Sequence, residues 1–258
     1  EDETGPRGTR AIVLDAVAHG AAVDAARVFG PRRPGVGPLP SYPFERAQYR
    51  LPATPERVKM LDGYVHPLLG GRLRADSGTF HGEIDLSRHA FLAEHGVEET
   101  VVFPAAGFLE ILAALGREVL GGSAIEVSGF EILQPMVIEA GGAREVRTRI
   151  EDDGAARIES RTRLGEEDWL LHCRARVRKA AADPARVAGP DAAGGESIDP
   201  AVLYDLAARF GLAYGPAFRR VAAARVEGEA SARVVLDGRP APTGRAGVID
   251  PTALDAAF

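Results

Sequence analysis

The hydrophobic pattern changes period along the chain. From Pro104 onward, apolar residues recur every three or four positions until a pair of glycines at 121 and 122. They are Phe108, Leu109, Ile111, Leu112 and Leu115. This spacing predicts one apolar helix that ends at the glycines. Between residues 124 and 179 the period shortens to two, in the runs "AIEVSGFEILQPMVIE", "REVRTRIED", "ARIESRTR" and "WLLHCRARVRK". These runs, separated by short polar turns, predict strands.

Shorter apolar stretches precede the helix. The segment "HPLLGGRLRADSGTFHGEIDLSRHAFLAEHGV" alternates apolar and polar residues between breaks at Gly and Ser-Gly, which is typical of hairpin strands. One central helix among about five or six strands predicts an α+β fold, with an antiparallel sheet wrapped round the helix.

The same order of elements begins again after residue 180. Residues 180–200 are rich in Ala, Pro and Gly and predict a linker. Asp199 then predicts the cap, and Pro200 the first residue, of a helix that stops at Gly211. Its apolar face comprises Val202, Leu203, Leu206 and Phe210. Strands follow in "RRVAAARVEGEASARVVL", "YGPAF" predicts a turn, and "IDPTALDAAF" opens a second Pro-initiated helix.

The N-terminal part differs from both units. Residues 9–30 predict a short helix, and residues 30–55, with Pro or Gly every few positions, predict an extended strap. The chain begins without methionine and ends inside an apolar helix, so we expect it to be a piece of a longer polypeptide. The predicted domains are a leading segment 1–50, a first unit 51–180, a linker 181–199 and the start of a second unit 200–258.

Composition excludes several classes of function. The 258 residues are 45% hydrophobic and 26% charged, enough to bury a sizeable core. The net charge of −6, with arginines scattered among acidic residues, argues against nucleic-acid binding. No stretch approaches the roughly 18 apolar residues that cross a bilayer, so no membrane partner is expected. A single cysteine, Cys173, excludes an internal disulfide and favours the cytoplasm.

Two residues are candidates for acid–base chemistry. His95 precedes "GVEETVVFPAAGF", and an imidazole, with an unperturbed pKa of about 6.5, can accept a proton near neutral pH. A lone loop histidine is nevertheless more often solvated or locally hydrogen-bonded. Asp255 is either a surface residue of its helix or a buried acid, and the pattern alone favours the surface. If Asp255 is buried, the two residues form a base and acid pair from different units.

Other residues have weaker signals. The helix begins at Pro104, Ala105 and Ala106, where free N–H groups lie beside small side chains. These N–H groups could hold a thioester carbonyl as its enolate forms. The alternative is an ordinary helix start with proline at its preferred position. Tyr214 either packs its ring or aims its hydroxyl into the same cavity, and packing is favoured. The other histidines of interest are predicted to be structural at His66 and His172, and exposed at His81 and His89. No metal, nucleotide or G-x-S-x-G motif is present.

Several motifs in order resemble the dehydratase domain of modular type I polyketide synthases. "HGVEETVVFP" is similar to the family's H-x-x-x-G-x-x-x-x-P signature, "LAYGPAF" to its G-Y-x-Y-G-P-x-F turn, and "DPTALDAAF" to its H-P-x-x-L-D-x-x-x-Q/H helix. "HPLLGG" and "WLLHC" also have counterparts, and "LPSYPFERAQYRLP" resembles the linker that follows an acyltransferase domain. The resemblance covers about residues 10–258.

The resemblance implies a double hotdog fold whose second hotdog is incomplete in this chain. It implies a hydro-lyase that converts a 3-hydroxyacyl chain to the 2-enoyl thioester, with His95 as base and Asp255 as acid. Substrate-binding residues would be Pro104, Ala105, Ala106, Tyr214, Gly215 and Pro216. No cofactor or metal would be bound directly, because the substrate is held on the phosphopantetheine arm of an acyl carrier protein. Neighbouring acyltransferase and ketoreductase domains and a second copy of the chain are the other expected partners.

Departures from the family pattern leave alternatives open. Glu99 occupies the position of the signature glycine, where its charge is expected to reshape the loop behind His95. Asp250 occupies the position of the histidine that precedes Pro251 in the family's helix motif. Leu212 replaces the first tyrosine of the turn motif. The sequence ends one residue before the Gln/His expected four positions after Asp255 and before the L-P-F-x-W segment, so we expect the remaining strands elsewhere in the parent polypeptide. One alternative is a related catalyst that forms a cyclic ether or shifts a double bond. Another is a silent module that binds the acyl chain or spaces and dimerises the synthase.

Overall fold

The computed structural model describes residues 8–31, 63–73, 77–122, 124–181, 195–228, 231–244 and 247–257. Contacts between residues divide the chain into two compact units, Glu1–Tyr49 and Arg50–Phe258. No helix among the described residues is long and apolar enough to cross a membrane.

The described residues of the N-terminal unit, Glu1–Tyr49, form two short helices where the sequence predicted one. They are α1 (Thr9–Ala18) and α2 (Ala25–Phe29). The chain breaks between them because Gly20 has a left-handed φ of 87° and because the Asp24 side chain caps α2 by accepting the Ala26 and Arg27 N–H groups. From residue 32 the predicted strap lies outside the described residues.

Six antiparallel strands form the main sheet of the second unit, in the order β1-β2-β6-β7-β8-β5. The strands are β1 (Gly71–Arg72), β2 (Thr79–Asp85), β5 (Ile125–Ile132), β6 (Ala143–Ile150), β7 (Ala155–Thr162) and β8 (Leu170–Lys179). The strands predicted from the period-two runs are therefore confirmed. Alternate residues such as Ile84, Val146 and Ile158 are fully buried on one face, as the pleat of a strand requires.

The helix α3 (Ala105–Leu120) packs against that buried face. Its predicted apolar positions Ile111, Leu112 and Leu115 are fully buried, and it ends at Gly121, which has a φ of 67°. At Gly116, an added Cβ would lie 2.6 Å from a side-chain carbon of Ile125, so the absence of a side chain lets helix and sheet approach closely. The predicted α+β arrangement of one helix wrapped by an antiparallel sheet is confirmed.

The described residues of the second unit also form two smaller antiparallel sheets and two further helices. One sheet, in the order β10-β3-β4, contains β3 (His95–Val97), β4 (Thr100–Val101) and β10 (Leu212–Tyr214). The other, in the order β12-β11-β9, contains β9 (Glu196–Ile198), β11 (Val221–Gly228) and β12 (Ser231–Leu236). The helices are α4 (Pro200–Arg209) and α5 (Pro251–Asp255), and a short 3-10 helix, Ala90–Glu94, precedes β3.

The start of α4 agrees with the sequence, but its surroundings do not. Asp199 accepts the Ala201 N–H at 2.9 Å, and Pro200 is the first helical residue, as predicted. Residues 196–198, predicted as linker, form a strand because they pair with β11. The apolar face is largely exposed, with Phe210 77% accessible, so the amphipathic pattern located the helix but not a buried contact. The domain boundaries inside this unit remain a prediction.

The predicted exposure of His81 and His89 is wrong, since both are buried. His81 lies on the outer face of the main sheet, where the indole of Trp169 covers it edge-on at 5.7 Å between ring centroids. Trp169 comes from the loop before β8, and a sequence pattern does not show that this loop folds back over the sheet. The ring nitrogens of His89 lie 3.1 Å from the carbonyl oxygen of Asp85 and 3.2 Å from that of Pro67.

His81 gives an expected pH dependence of stability. Burial, reinforced by Arg147, Arg149 and Arg161, lowers the pKa of His81 from 6.5 to about 4. Between these two values the unfolded chain binds a proton that the folded chain does not, so stability falls as the pH falls from about 6.5 to 4, by at most about 3 kcal/mol. Replacing His81 with Phe is expected to remove this loss. Urea midpoints of both proteins at pH 7 and pH 4.5 test this, and an equal acid loss in the variant would contradict it.

Candidate active site

The pairing of β3 with β10 brings two distant motifs together. Tyr214 lies directly opposite His95 in this antiparallel pair. The residue before His95 holds the following turn, because the Glu94 carbonyl accepts the Gly215 N–H at 2.8 Å and its carboxylate accepts the Ala217 N–H. An added Cβ on Gly215 would lie 2.7 Å from the Cβ of Glu94, so this packing requires glycine. The "YGPAF" turn is therefore fixed against the strand that carries His95.

His95 is buried, and one of its ring nitrogens is committed to the backbone. Its Nδ1 lies 2.7 Å from the carbonyl oxygen of Val102. A carbonyl accepts but does not donate, so Nδ1 carries the proton and Nε2 presents a free lone pair when the ring is neutral. The ring of Phe218 lies 5.0 Å from the imidazole between centroids and that of Tyr214 lies 5.6 Å away. The isolated motif favoured a solvated or locally hydrogen-bonded histidine, and His95 is buried with a hydrogen bond to the nearby Val102 carbonyl.

Asp255 points at the free nitrogen of His95. Its Oδ2 lies 3.5 Å from Nε2, and the two side chains are only 8% and 9% exposed for His95 and Asp255, respectively. Oδ2 is buried and receives no hydrogen bond from any residue that the structure describes. The surface position favoured by pattern alone is therefore wrong for Asp255. The structure brings the two predicted acid–base residues together.

The charge of Asp255 changes the titration of its neighbours. Burial alone lowers the pKa of His95, yet that pKa is raised overall because the Asp255 carboxylate and the Val102 carbonyl favour the protonated ring. Burial and the same carboxylate raise the pKa of Tyr214 to about 12, so its phenol is neutral at physiological pH. The raised pKa of His95 and part of the raised pKa of Tyr214 therefore depend on Asp255.

A cavity of about 390 Å³ opens onto both atoms of the pair. Its lining residues are His95, Val102, Phe103, Ala105, Phe108, Ile132, Leu133, Gln134, Pro135 and Asp255. Apart from the pair and Gln134 these side chains are apolar. The cavity therefore suits an apolar chain that carries one reactive polar centre.

The other predicted binding residues are distributed unevenly. Ala105 lines the cavity at the start of α3, while Pro104 and Ala106 are buried beside it. The Pro104 carbonyl accepts the Gly107 N–H at 2.9 Å, while the N–H groups of Ala105 and Ala106, at the first two helical positions, have no helical acceptor. Tyr214 is half-buried against His95, whereas Pro216 is exposed and neither Gly215 nor Pro216 lines the cavity. Substrate binding by these residues remains a prediction.

The structural histidines are confirmed as satisfied residues. His66 is bonded to Glu110, and His172 lies between the Ser160 hydroxyl at 2.7 Å and the Gln134 carbonyl at 3.1 Å. Burial raises the pKa of the Cys173 thiol to about 12, so this cysteine is a core residue. No three His, Cys, Asp or Glu side chains converge as a metal site within the described ranges.

Glu99 is exposed and does not lie behind His95. It forms, with Glu98, the two-residue turn between β3 and β4. Glu98 has the left-handed φ, 55°, and its N–H donates to the Gly211 carbonyl at 2.6 Å. The conformation that favours glycine in this turn therefore belongs to residue 98, not to residue 99.

This turn gives a paired stability prediction. Replacing Glu98 with Gly is expected to raise the free energy of unfolding by up to about 1 kcal/mol, because a left-handed φ is strained for other residues. Replacing Glu99 with Gly is expected to lower it by up to about 1 kcal/mol, since glycine only adds freedom to the unfolded chain there. Urea midpoints of the two variants at constant pH measure both effects. Stabilisation by Glu99→Gly alone would contradict this assignment.

Comparison with known families gives two matches. A family model described as the polyketide synthase dehydratase domain matches residues 66–163. A second, described as the polyketide synthase dehydratase N-terminal domain, matches residues 182–258. Together the two matches cover both the strand with His95 and the helix with Asp255.

Curated relatives are much longer than this chain. The spectinabilin polyketide synthase system protein NorB of Streptomyces orinoci is 33% identical over 99% of the chain, which spans 12% of that protein. NorA' of the same system and organism is 34% identical over 87% of the chain, which spans 7% of it. Polyketide synthase GfsB of Streptomyces halstedii is 32% identical over the whole chain, which spans 5% of it.

Solved structures with the same fold are dehydratases. A GphF dehydratase variant is 28% identical, with a TM-score of 0.64, and the match covers 75% of this chain and 71% of that one. The CurK dehydratase domain of the curacin polyketide synthase is 26% identical, with a TM-score of 0.63, and the match covers 74% and 71%. A CurK variant with asparagine in place of an aspartate, also 26% identical at a TM-score of 0.63 over 74% and 71%, is described as inactive.

Proposed function

Since the chain belongs to the polyketide synthase dehydratase family, with its double hotdog fold, we propose that it removes water from a 3-hydroxyacyl thioester to give the 2-enoyl thioester. The observation that carries this proposal is the buried Oδ2 of Asp255, unbonded and 3.5 Å from Nε2 of His95 at the wall of an apolar cavity. A β-elimination needs one group that takes a proton and one that gives a proton to the leaving hydroxyl. This pair supplies both.

In the proposed reaction, Nε2 of His95 accepts the proton from the α-carbon. The electron pair of that C–H bond forms the new double bond, the C–O bond at position 3 breaks, and Asp255 gives its proton to the leaving hydroxyl, which departs as water. The Nδ1–H bond to the Val102 carbonyl orients the imidazole and stabilises the imidazolium that forms. The short distance between Nε2 and Oδ2 then lets the proton return to Asp255.

Before the reaction, Nε2 of His95 and the carboxyl group of Asp255 must hold one proton between them. With the proton on Asp255 the imidazole is neutral and its Nε2 can act as the base, whereas with the proton on the imidazole both groups are charged. An apolar acyl chain that displaces water disfavours the separated charges, so it shifts the proton to Asp255 and frees Nε2 to act as the base. Substrate binding therefore produces the reactive form.

The start of α3 supports the position of the thioester. Ala105 lines the cavity, and the N–H groups of Ala105 and Ala106 have no helical acceptor. We place the thioester carbonyl against these groups, where they stabilise the negative charge that develops as the α-proton leaves. The acyl chain then lies along Phe103, Phe108 and Leu133.

The partners follow from the same proposal. The acyl chain is delivered on the phosphopantetheine arm of an acyl carrier protein, and the enzyme itself binds no cofactor. The great length of the synthase relatives supports neighbouring acyltransferase and ketoreductase domains. We also propose a homodimer.

The experiment is a mass measurement on the loaded carrier protein. The full-length protein is incubated with an acyl carrier protein that holds a 3-hydroxyacyl chain, and intact-mass spectrometry follows the chain. Loss of the mass of one water is expected. An unchanged mass across several chains would favour the silent module, and a cyclic ether from a substrate with a distal hydroxyl would favour the cyclising alternative. The exposed position of Glu99 favours neither alternative.

A further inference from the structure

A buried carboxylate outside the cavity joins α3 to the segment that leads to Asp255. Glu110 is fully buried on α3. Its Oε1 accepts the Val248 N–H at 2.8 Å, and its Oε2 accepts the Ile249 N–H at 2.6 Å. These bonds connect residues 138 and 139 positions apart in sequence, and their partners come directly before α5.

The third bond of Glu110 comes from His66. The Nδ1 of His66 faces the Leu68 and Leu69 N–H groups, each at 3.2 Å, so this nitrogen is an acceptor without a proton. Its Nε2 therefore carries the proton and donates to Oε1 of Glu110 at 2.9 Å. Three N–H donors converge on one buried carboxylate, which can only accept when ionised. Charge-assisted bonds of this kind hold their partners firmly.

The backbone at this anchor has little freedom. An added Cβ on Gly247 would lie 3.2 Å from Oε1 of Glu110 and closer still to the Thr243 hydroxyl oxygen, so the chain approaches the carboxylate as only glycine allows. Asp250 then caps α5 by accepting the Thr252 N–H at 3.0 Å. From Ile249 to Asp255 the path is therefore one cap and one short helix.

A second anchor holds the start of α5. Arg220 is 3% exposed, and its Nη1 donates to Oδ2 of Asp250 at 2.8 Å and to the Thr252 hydroxyl at 2.7 Å. Asp250 thus both caps the helix and receives this arginine. Glu110 lies on α3 and Arg220 directly precedes β11, so two separate elements hold the start of α5.

We propose that Glu110 is a positioning residue, which fixes α5 so that Oδ2 of Asp255 lies against Nε2 of His95. It does not line the cavity and acts through Val248 and Ile249. This inference rests on the proposed dehydratase function, in which that contact is the proton path. Loss of the Glu110 carboxylate is expected to displace the side chain of Asp255 without removing it.

The test is Glu110→Gln in the full-length protein. The amide keeps the size of the side chain, but its NH₂ group faces N–H donors, so α5 moves away. A displacement of about 1 Å lowers kcat roughly 100-fold, while KM changes little, because the cavity wall is intact. The acid limb of the kcat/KM profile moves to lower pH, since His95 loses the nearby charge that favours its protonated form.

The groups that bear on this profile are few. His95 faces Asp255 from α5 and the neutral phenol of Tyr214 from β10, with the Val102 carbonyl on Nδ1 and the uncharged ring of Phe218 beside it. Glu110 itself faces His66. A shift of the acid limb in the variant is therefore assigned to Asp255.

The matched control is Glu145→Gln. Glu145 is also a buried carboxylate, 2% exposed, and it accepts Nε of Arg161 at 2.7 Å on the outer face of the main sheet. This variant is expected to keep kcat and the pH profile. Equal losses in both variants, or an unchanged kcat and profile in a folded Glu110→Gln protein, would overturn the positioning role. If Glu110→Gln does not fold, Glu110→Asp keeps the charge, retracts it by one methylene group and is expected to lose kcat with the same shift.

A measurement without turnover separates this inference from the proposed function. The imidazole of His95, followed by NMR during a pH titration, is expected to titrate at lower pH in Glu110→Gln than in the wild type. If the wild type leaves every acyl chain untouched, the dehydratase proposal fails while this shift still supports the anchor. Identical titrations would overturn the anchor even in an active enzyme.

Discussion

Replacing His95 with Ala is expected to lower the rate of water loss at least about 10³-fold, toward the upper range for removal of a general base. The methyl group of alanine cannot accept the α-proton, and no other neutral base lines the cavity among the described residues. The variant retains the cavity and Asp255, so substrate binding is expected to change much less than turnover. Single-turnover mass spectrometry of the loaded acyl carrier protein measures the loss.

The control for His95→Ala is His81→Phe, assayed at pH 7.5. His81 is likewise a buried imidazole, but it lies under Trp169 on the outer face of the main sheet and is not part of the cavity. This control is expected to keep the wild-type rate. A His95→Ala protein that retains more than about a tenth of the rate would assign the base to another group, since general-base catalysis contributes at least about 10²-fold.

The main sheet and its helix could be predicted from the sequence because each repeats one period. Residues of α3 on the buried face, such as Ile111 and Leu115, recur at helical spacing, and the strands after it alternate regularly. The break between α1 and α2 was not predictable from alanine-rich composition. Nor was β9, because its three residues become a strand only by pairing with β11.

The candidate acid–base pair was identified by the family resemblance and not by spacing. His95 and Asp255 are 160 positions apart, and their contact depends on how β3, β10 and α5 pack. A pattern shows each residue's immediate neighbours, so it favoured a solvated or locally hydrogen-bonded histidine and a surface aspartate. The motifs supplied the long-range information that local periodicity lacks.

The anchoring residues had one usable signal in the sequence. Glu110 interrupts the apolar face of α3 between Phe108 and Ile111, and a lone charge inside such a face needs a buried partner. That signal predicts a polar contact without identifying Val248 or Ile249 as the partners. Glu94 gave no comparable signal, because its role depends on the close approach of Gly215.

Replacing Asp255 with Asn is expected to lower the rate of dehydration about 10²- to 10⁴-fold, the usual contribution of a general acid. The amide has nearly the shape of the carboxyl group but has no proton to give to the leaving hydroxyl. The inactive CurK variant with asparagine in place of an aspartate agrees with such a requirement in this fold. The matched control is Asp153→Asn, because Asp153 is exposed in the turn before β7 and its bond to the Ala155 N–H is retained by asparagine.

The same substitution tests the electrostatics of the pair. Without the charge of Asp255, burial remains the main influence on His95, so the pKa of His95 is expected to fall below its wild-type value. Because the pKa of His95 is raised in the folded protein, protonation of His95 stabilises the wild type below its unfolded pKa of about 6.5. This stabilisation is lost as the pH rises through the folded pKa. The stability difference between wild type and Asp255→Asn is therefore expected to be larger at pH 6 than at pH 9. An NMR titration of His95 that is unchanged in Asp255→Asn would contradict the contact on which the proposed proton transfer depends.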